Sequence, residues 1–149
     1  MKRAILFATA LAACAPVAQD QEKTPVNASQ NLPAPTPADV PARIDASKNG
    51  QSVEVHVGQR FAVELVGVPT AGYLWAPAKT PPFIAPVGEA GGNTTTAQSQ
   101  PGFTGGNHWE VFVFTATAPG SGDLVLEQRR PWETNEPASD TFRVTIVAR

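Results

Sequence analysis

The feature that most constrains this chain is a two-residue alternation of apolar and polar side chains, in short runs each cut off by proline or glycine. Val53, Val55 and Val57 alternate with Glu54 and His56, and Phe61, Val63 and Leu65 alternate with Ala62, Glu64 and Val66. A period of two places one set of side chains on one face of an extended strand, the pattern of a half-buried β-strand. Further runs follow at residues 73–75, ended by Pro77, at 83–87 as a poor edge-like strand, and at 109–116, the strongest of all. Strands at 124–128 and 141–147 finish the chain, and residues 40–44 offer a short first one. Residues 88–107, rich in Gly, Thr, Gln, Ser and Asn, read as one long loop, of a length that is either functional or disordered. Fifteen prolines and twelve glycines supply the breaks, and no stretch of the folded part carries the 3.6-residue repeat of an amphipathic helix. About seven short strands with a turn signal between each predict an all-β, immunoglobulin-like antiparallel β-sandwich. Trp75, on a short strand after the second, is expected between the two sheets. His56 is expected on an exposed strand face, and His108, next to one of the candidate binding loops, is a candidate for the loop end of the sandwich.

The N-terminal third is organised differently. Lys2 and Arg3 precede an apolar stretch over residues 4–13 that is too short to span a bilayer as a helix, the layout of a secretory signal. The stretch ends in Leu11-Ala12-Ala13-Cys14, which resembles a bacterial lipobox. That resemblance implies cleavage after residue 13, lipidation of Cys14 and attachment to a membrane. Ala15, where the sorting rules would need Asp for inner-membrane retention, favours the outer membrane, facing the periplasm. Residues 14–48 are scattered with proline, alanine, glutamine and asparagine and read as a disordered tether. The expected organisation is a lipoprotein signal peptide at 1–13, the tether at 14–48 and a folded domain at 49–149.

Several function classes are excluded. Charged residues make up 16% of the chain and the formal net charge is −2, so there is no basic footprint for nucleic acid. Cys14 is the sole cysteine, which rules out an intramolecular disulfide and argues against a nucleophilic cysteine. The two histidines have no metal-ligand spacing, and no Gly-x-Ser-x-Gly nucleophile elbow occurs. The reading is therefore of a protein without catalysis, metal or cofactor.

Three loops stand out. The first is Val68-Pro69-Thr70-Ala71-Gly72-Tyr73, leading into Leu74-Trp75. The second is Gly102-Phe103-Thr104-Gly105-Gly106, and the third is Arg130-Pro131-Trp132. Proline beside tryptophan at a strand break forces a turn and leaves the indole little core to enter. Trp and Arg are the residue types that dominate interface energetics. In their order, and in the strand that follows each, the three loops resemble the chagasin-like family of cysteine-protease inhibitors, inhibitor family I42, whose motifs read Asn-Pro-Thr-Thr-Gly-Tyr/Phe, Gly-x-Gly-Gly and Arg-Pro-Trp. Val68 and Ala71 stand where the family has Asn and its second Thr, and the glycine motif carries one extra residue. The resemblance implies an immunoglobulin-like sandwich with the three loops at one end, acting as a reversible, non-covalent inhibitor of papain-like cysteine proteases. Residues 68–73 would cover the catalytic cysteine. Arg130, Pro131 and Trp132 would grip one wall of the cleft, and Gly102, Thr104, Gly105 and Gly106 the other. The competing reading is an adhesive or structural envelope lipoprotein built on an immunoglobulin-like module. It would not require the three loops to share one surface.

Overall fold

The computed structural model describes residues 29–149. Within them lie β1 (Ala42–Asp45), β2 (Ser52–Val55), β3 (Arg60–Gly67), β4 (Leu74–Lys79), β5 (Ile84–Asn93), β6 (His108–Ala116), β7 (Gly120–Arg129) and β8 (Asp140–Ala148). They form two four-stranded sheets in the orders β1-β3-β6-β5 and β2-β8-β7-β4. Pairing is antiparallel except where the short strands β1 and β2 run parallel to β3 and β8. The alternating residues meet between the sheets. Phe61, Val63 and Leu65 of β3, Phe112 and Phe114 of β6, Leu124 and Leu126 of β7, and Phe142, Val144 and Ile146 of β8 form one core. Phe61 and Phe114 stack with ring centroids 5.6 Å apart, an offset arrangement that adds to area burial. Trp75 is only 8% exposed and joins this core, as expected.

Four features depart from the sequence reading, each for a physical reason. First, the short strand offered at residues 40–44 lies at 42–45, pairs with β3 along four residues and buries Ile44 in the core, which brings the strands among the described residues to eight. Second, Pro77 does not end its strand. β4 is a sheet edge and shifts register between Pro77 and Lys79, so the missing amide costs no ladder bond. Pro86 sits at a similar shift in β5, an edge strand of the first sheet. Third, much of the long loop expected at 88–107 is structured. β5 continues to Asn93 by pairing with β6, and a 3-10 turn, Thr96–Ser99, follows. The glycine-rich segment has poor strand propensity but faces a full-length partner, and partner pairing prevails over propensity.

Fourth, the tether expected to reach Lys48 does not extend that far. Its residues 14–28 and the signal segment, with Cys14, lie outside the described residues. From Gln30 onward the chain is strapped to the outer face of the first sheet. Leu32 N–H donates to Thr94 O at 2.8 Å, and Thr96 N–H to Gln30 O at 2.9 Å. The Trp109 indole N–H donates to Leu32 O at 2.8 Å, and the Thr36 hydroxyl to Glu64. Ala34 and Val40 close over Ala62, Val111 and Val113 as a second apolar cluster, with Trp109 and Ala90 against it. The outward residues of β6 are apolar and need a cover, which the proline-rich segment supplies.

Candidate functional site

Strand register brings the three loops to one pole. Gly67, the last residue of β3, pairs with His108, the first of β6. The loop leaving β3 and the loop entering β6 therefore start side by side in the first sheet. Leu74, the first residue of β4, pairs with Arg129, the last of β7, in the second sheet. Residues 68–73 thus cross from one sheet to the other with residues 100–107 beside one foot and residues 130–139 beside the other. His108 opens β6 at this pole, and its buried Nδ1 has no hydrogen-bond partner.

The central loop is short and closed. Val68 and Tyr73 exchange two backbone hydrogen bonds of 3.2 Å each. Between them Pro69–Ala71 form one 3-10 turn, with Pro69 at its first position, where its fixed φ suits the turn. Gly72 ends the turn at φ 81° in the left-handed region and donates to Pro69 O at 2.9 Å, a cap that favours glycine. Thr70 and Ala71 are exposed at the tip.

The arginine–proline–tryptophan loop folds against this turn. The Trp132 ring lies over Gly72, so that a Cβ there would meet the indole, 2.9 Å from Cζ2 and closer still to Cη2. The indole nevertheless remains 68% exposed. Arg130 is engaged within the molecule. Its Nε donates to Ala71 O at 3.0 Å, a second guanidinium nitrogen pairs with Glu133 at 3.0 Å, and its guanidinium carbon sits 4.6 Å from the Tyr73 ring centroid. The Glu133 hydrogen bond raises the Arg130 pKa further above its ordinary value. The sequence placed Arg130 on a partner; in the structure its contacts tie the loops to each other. The far end of this loop is closed by Ser139, whose amide and hydroxyl both donate to Gln128 O at 2.8 Å.

Beneath the central loop two bonds join the sheets. The Trp75 indole N–H donates to Val66 O at 3.0 Å, and the Trp75 amide donates to Glu110 Oε2 at 2.9 Å. The other Glu110 oxygen fills the space where a Cβ on Gly67 would lie and has no partner. Burial raises the Glu110 pKa; the Trp75 amide opposes the shift, nearby Glu89 adds to it and His108 opposes it.

The glycine loop is fastened by Gln98 of the 3-10 turn. Its side-chain carbonyl accepts from the Thr94 and Thr95 amides at 2.7 and 2.9 Å, and its NH2 group donates to Asn107 O at 2.7 Å. Gly102, Thr104, Gly105 and Gly106 are exposed. Gly106 adopts φ 100° with the Phe103 ring and Gln98 packed on it. Sequence reasoning passed over Gln98, Glu110 and Phe103. The capping-box spacing of Thr95 and Gln98 was a readable signal for the first of these. Among the described residues no group of His, Cys, Asp or Glu is arranged to hold a metal ion.

The sandwich thus presents three loops at one pole, two of them braced against each other, the layout of a scaffold for loop-mediated binding. The chagasin family peptidase inhibitor I42 profile matches residues 54–146, and the chain belongs to that family of inhibitors. The fold is similar to that of a cysteine protease inhibitor from Entamoeba histolytica, with a TM-score of 0.62 at 15% identity, covering 72% of this chain and 95% of that one. It is also similar to that of amebosin, with a TM-score of 0.58 at 24% identity, covering 72% of this chain and 97% of that one. No curated protein matches the chain.

Proposed function

We propose that this protein is a reversible, non-covalent inhibitor of papain-like cysteine proteases, held at the bacterial envelope by lipid on Cys14. The observation that carries the reading is the packing of Trp132 on Gly72, with Arg130 bonded to Ala71. It makes one rigid ridge of two loops that are far apart in sequence. Thr70 and Ala71 at the crest are small, so the backbone itself can reach the floor of a narrow cleft. The turn is stabilised by its own hydrogen bonds and presents no extended, scissile segment. The exposed Trp132 flanks it for one wall, and Gly102, Thr104, Gly105 and Gly106 stand ready for the other. Loops ordered before docking lose little conformational entropy on binding. An interface of about 1,600 Å² then supports nanomolar affinity, about −12 kcal/mol. An adhesive module would have no use for this convergence.

The test is a titration of papain and of a cathepsin-L-type enzyme with the protein. Tight, reversible, active-site-directed inhibition is expected, and full turnover in a large molar excess would overturn the reading. The anchor is tested separately. Labelled palmitate should enter the protein in a bacterial host and be lost in Cys14→Ala; equal labelling of the variant would remove the anchor and leave the inhibitor reading intact.

A further inference from the structure

We infer that Phe103, at the tip of the glycine loop, is a second aromatic anchor for the target protease; the inference rests on the inhibitor reading above. Phe103 is 43% exposed, although a solvated loop of glycines has no packing need for a phenyl ring. The ring is not loose. Its Cε1 and Cζ lie 3.2 and 3.3 Å from where a Cβ on Gly106 would stand, and Gln98 Nε2 lies 2.9 Å from the same point. Gly106, at φ 100°, leaves its backbone bare for the ring to rest on. The Phe103 amide donates to Gln100 O at 3.2 Å, which closes the turn that carries the side chain. The arrangement repeats that of the indole on Gly72: an aromatic ring seated on a left-handed glycine, with one face held and the other offered.

The surroundings point the same way. Six large hydrophobic residues remain exposed among those described, and Val66, Leu74, Phe103 and Trp132 belong to loops or strand ends at this pole. The exposed apolar surface is therefore continuous in location with the proposed interface and rare elsewhere. Phe103 and Trp132 sit on loops that flank the central turn on opposite sides, so they fit opposite walls of one cleft. The partner surface for Phe103 is an apolar depression on the wall away from the one that takes the indole.

The experiment measures inhibition constants and dissociation rates of Phe103→Ala, Phe103→Trp and Trp132→Ala against papain. Phe103→Ala should raise the inhibition constant about tenfold, mostly through faster dissociation, as expected for a truncated anchor. Phe103→Trp should restore most of the loss, which a purely structural role in the loop would not allow. The effects of Phe103→Ala and Trp132→Ala should multiply in the double variant. Wild-type inhibition with Phe103→Ala unchanged overturns this inference alone. So does a change of oligomeric state with Phe103→Ala, by sedimentation, at unaltered inhibition, since the ring would then serve a second copy of the chain. Failure of the wild type to inhibit any papain-like enzyme removes the inhibitor reading and this inference with it.

Discussion

Gly72→Ala probes the junction of two loops with a single methyl group. Two effects separate cleanly. Gly72 has φ 81°, and an L-residue held in the left-handed region costs about 1–2 kcal/mol. At about 4 °C per kcal/mol for a domain of this size, the thermal midpoint should fall by ~4–8 °C. The second effect is steric. The new Cβ would overlap the Trp132 ring, with Cζ2 2.9 Å away. Trp132 is mostly exposed, so the indole can swing aside with little further loss of stability. It then leaves the position from which it would dock. An aromatic anchor displaced from its seat forfeits about 2 kcal/mol of binding, or ~30-fold in the inhibition constant. The assay is inhibition of papain by wild type, Gly72→Ala, Trp132→Ala and the double variant, with thermal unfolding of each. In the Trp132→Ala background the methyl group has nothing to displace, so Gly72→Ala should cost stability but almost no further affinity. A Gly72→Ala protein that loses stability yet inhibits like wild type would refute the claim that the seated indole is the docking conformation.

Trp132→Ala alone should weaken inhibition by about 2 kcal/mol or more with unfolding nearly unchanged, since the side chain is largely outside the core; an unaltered inhibition constant would dismiss it as an anchor. A chain starting at Gln51 loses the buried Val40 and Ile44 side chains, roughly 1.5–3 kcal/mol each, as well as the β1 ladder. It should unfold or aggregate where a chain starting at Ser29 folds, as circular dichroism and light scattering will show; equal stability of the two would mean the strap is dispensable. Glu110→Gln should flatten the pH dependence of stability. The folded state binds this proton more tightly than the unfolded chain, because burial raises the carboxyl pKa. The stabilisation linked to this group is thus full below the ordinary carboxylate range and is lost as pH rises through the raised folded value. As pH rises above the ordinary carboxylate range the unfolding midpoint of the wild type should therefore fall relative to that of the variant, and parallel curves would refute the assignment.

The body of the sandwich was readable because its signal is local. Alternation in β3 and β8 states which face is buried, and Trp75 between proline-bounded runs has few other places to go. Edge strands were harder. The residues of β5 beyond Pro86 are held by β6, and a strand specified by its neighbour leaves little trace in its own composition. The strap was legible in a different place from where it lies. Trp109, Val111 and Val113 are apolar on the face that an exposed two-sheet body would leave wet, interleaved with the core residues Phe112 and Phe114. A strand apolar on both faces is a strand covered on both faces. The segment before residue 42 was the chain available to cover it, and composition alone made it look like a tether.

The loops present the converse case. Their motifs were visible, but the bonds between them run through backbone atoms and through the absence of side chains. Arg130 donates to a carbonyl that any residue at position 71 would offer. The indole and the phenyl ring each rest on a glycine whose role is to have no Cβ in the way. Glycine tolerates positive φ, and glycines 72 and 106 both adopt it. Their second role is to seat aromatic rings: Gly106 takes Phe103 from its own loop, whereas Gly72 takes Trp132 from a loop that the strand register sets beside it. That register places Gly67 beside His108 and Leu74 beside Arg129. The scaffold carries the loops to one pole and so sets the indole on Gly72, and each glycine holds an aromatic ring that exposure alone would leave free to move. An aromatic held on one face and open on the other is already ordered for binding, which is why the two rings, and not the crest residues Thr70 and Ala71, are where single substitutions should cost the most affinity.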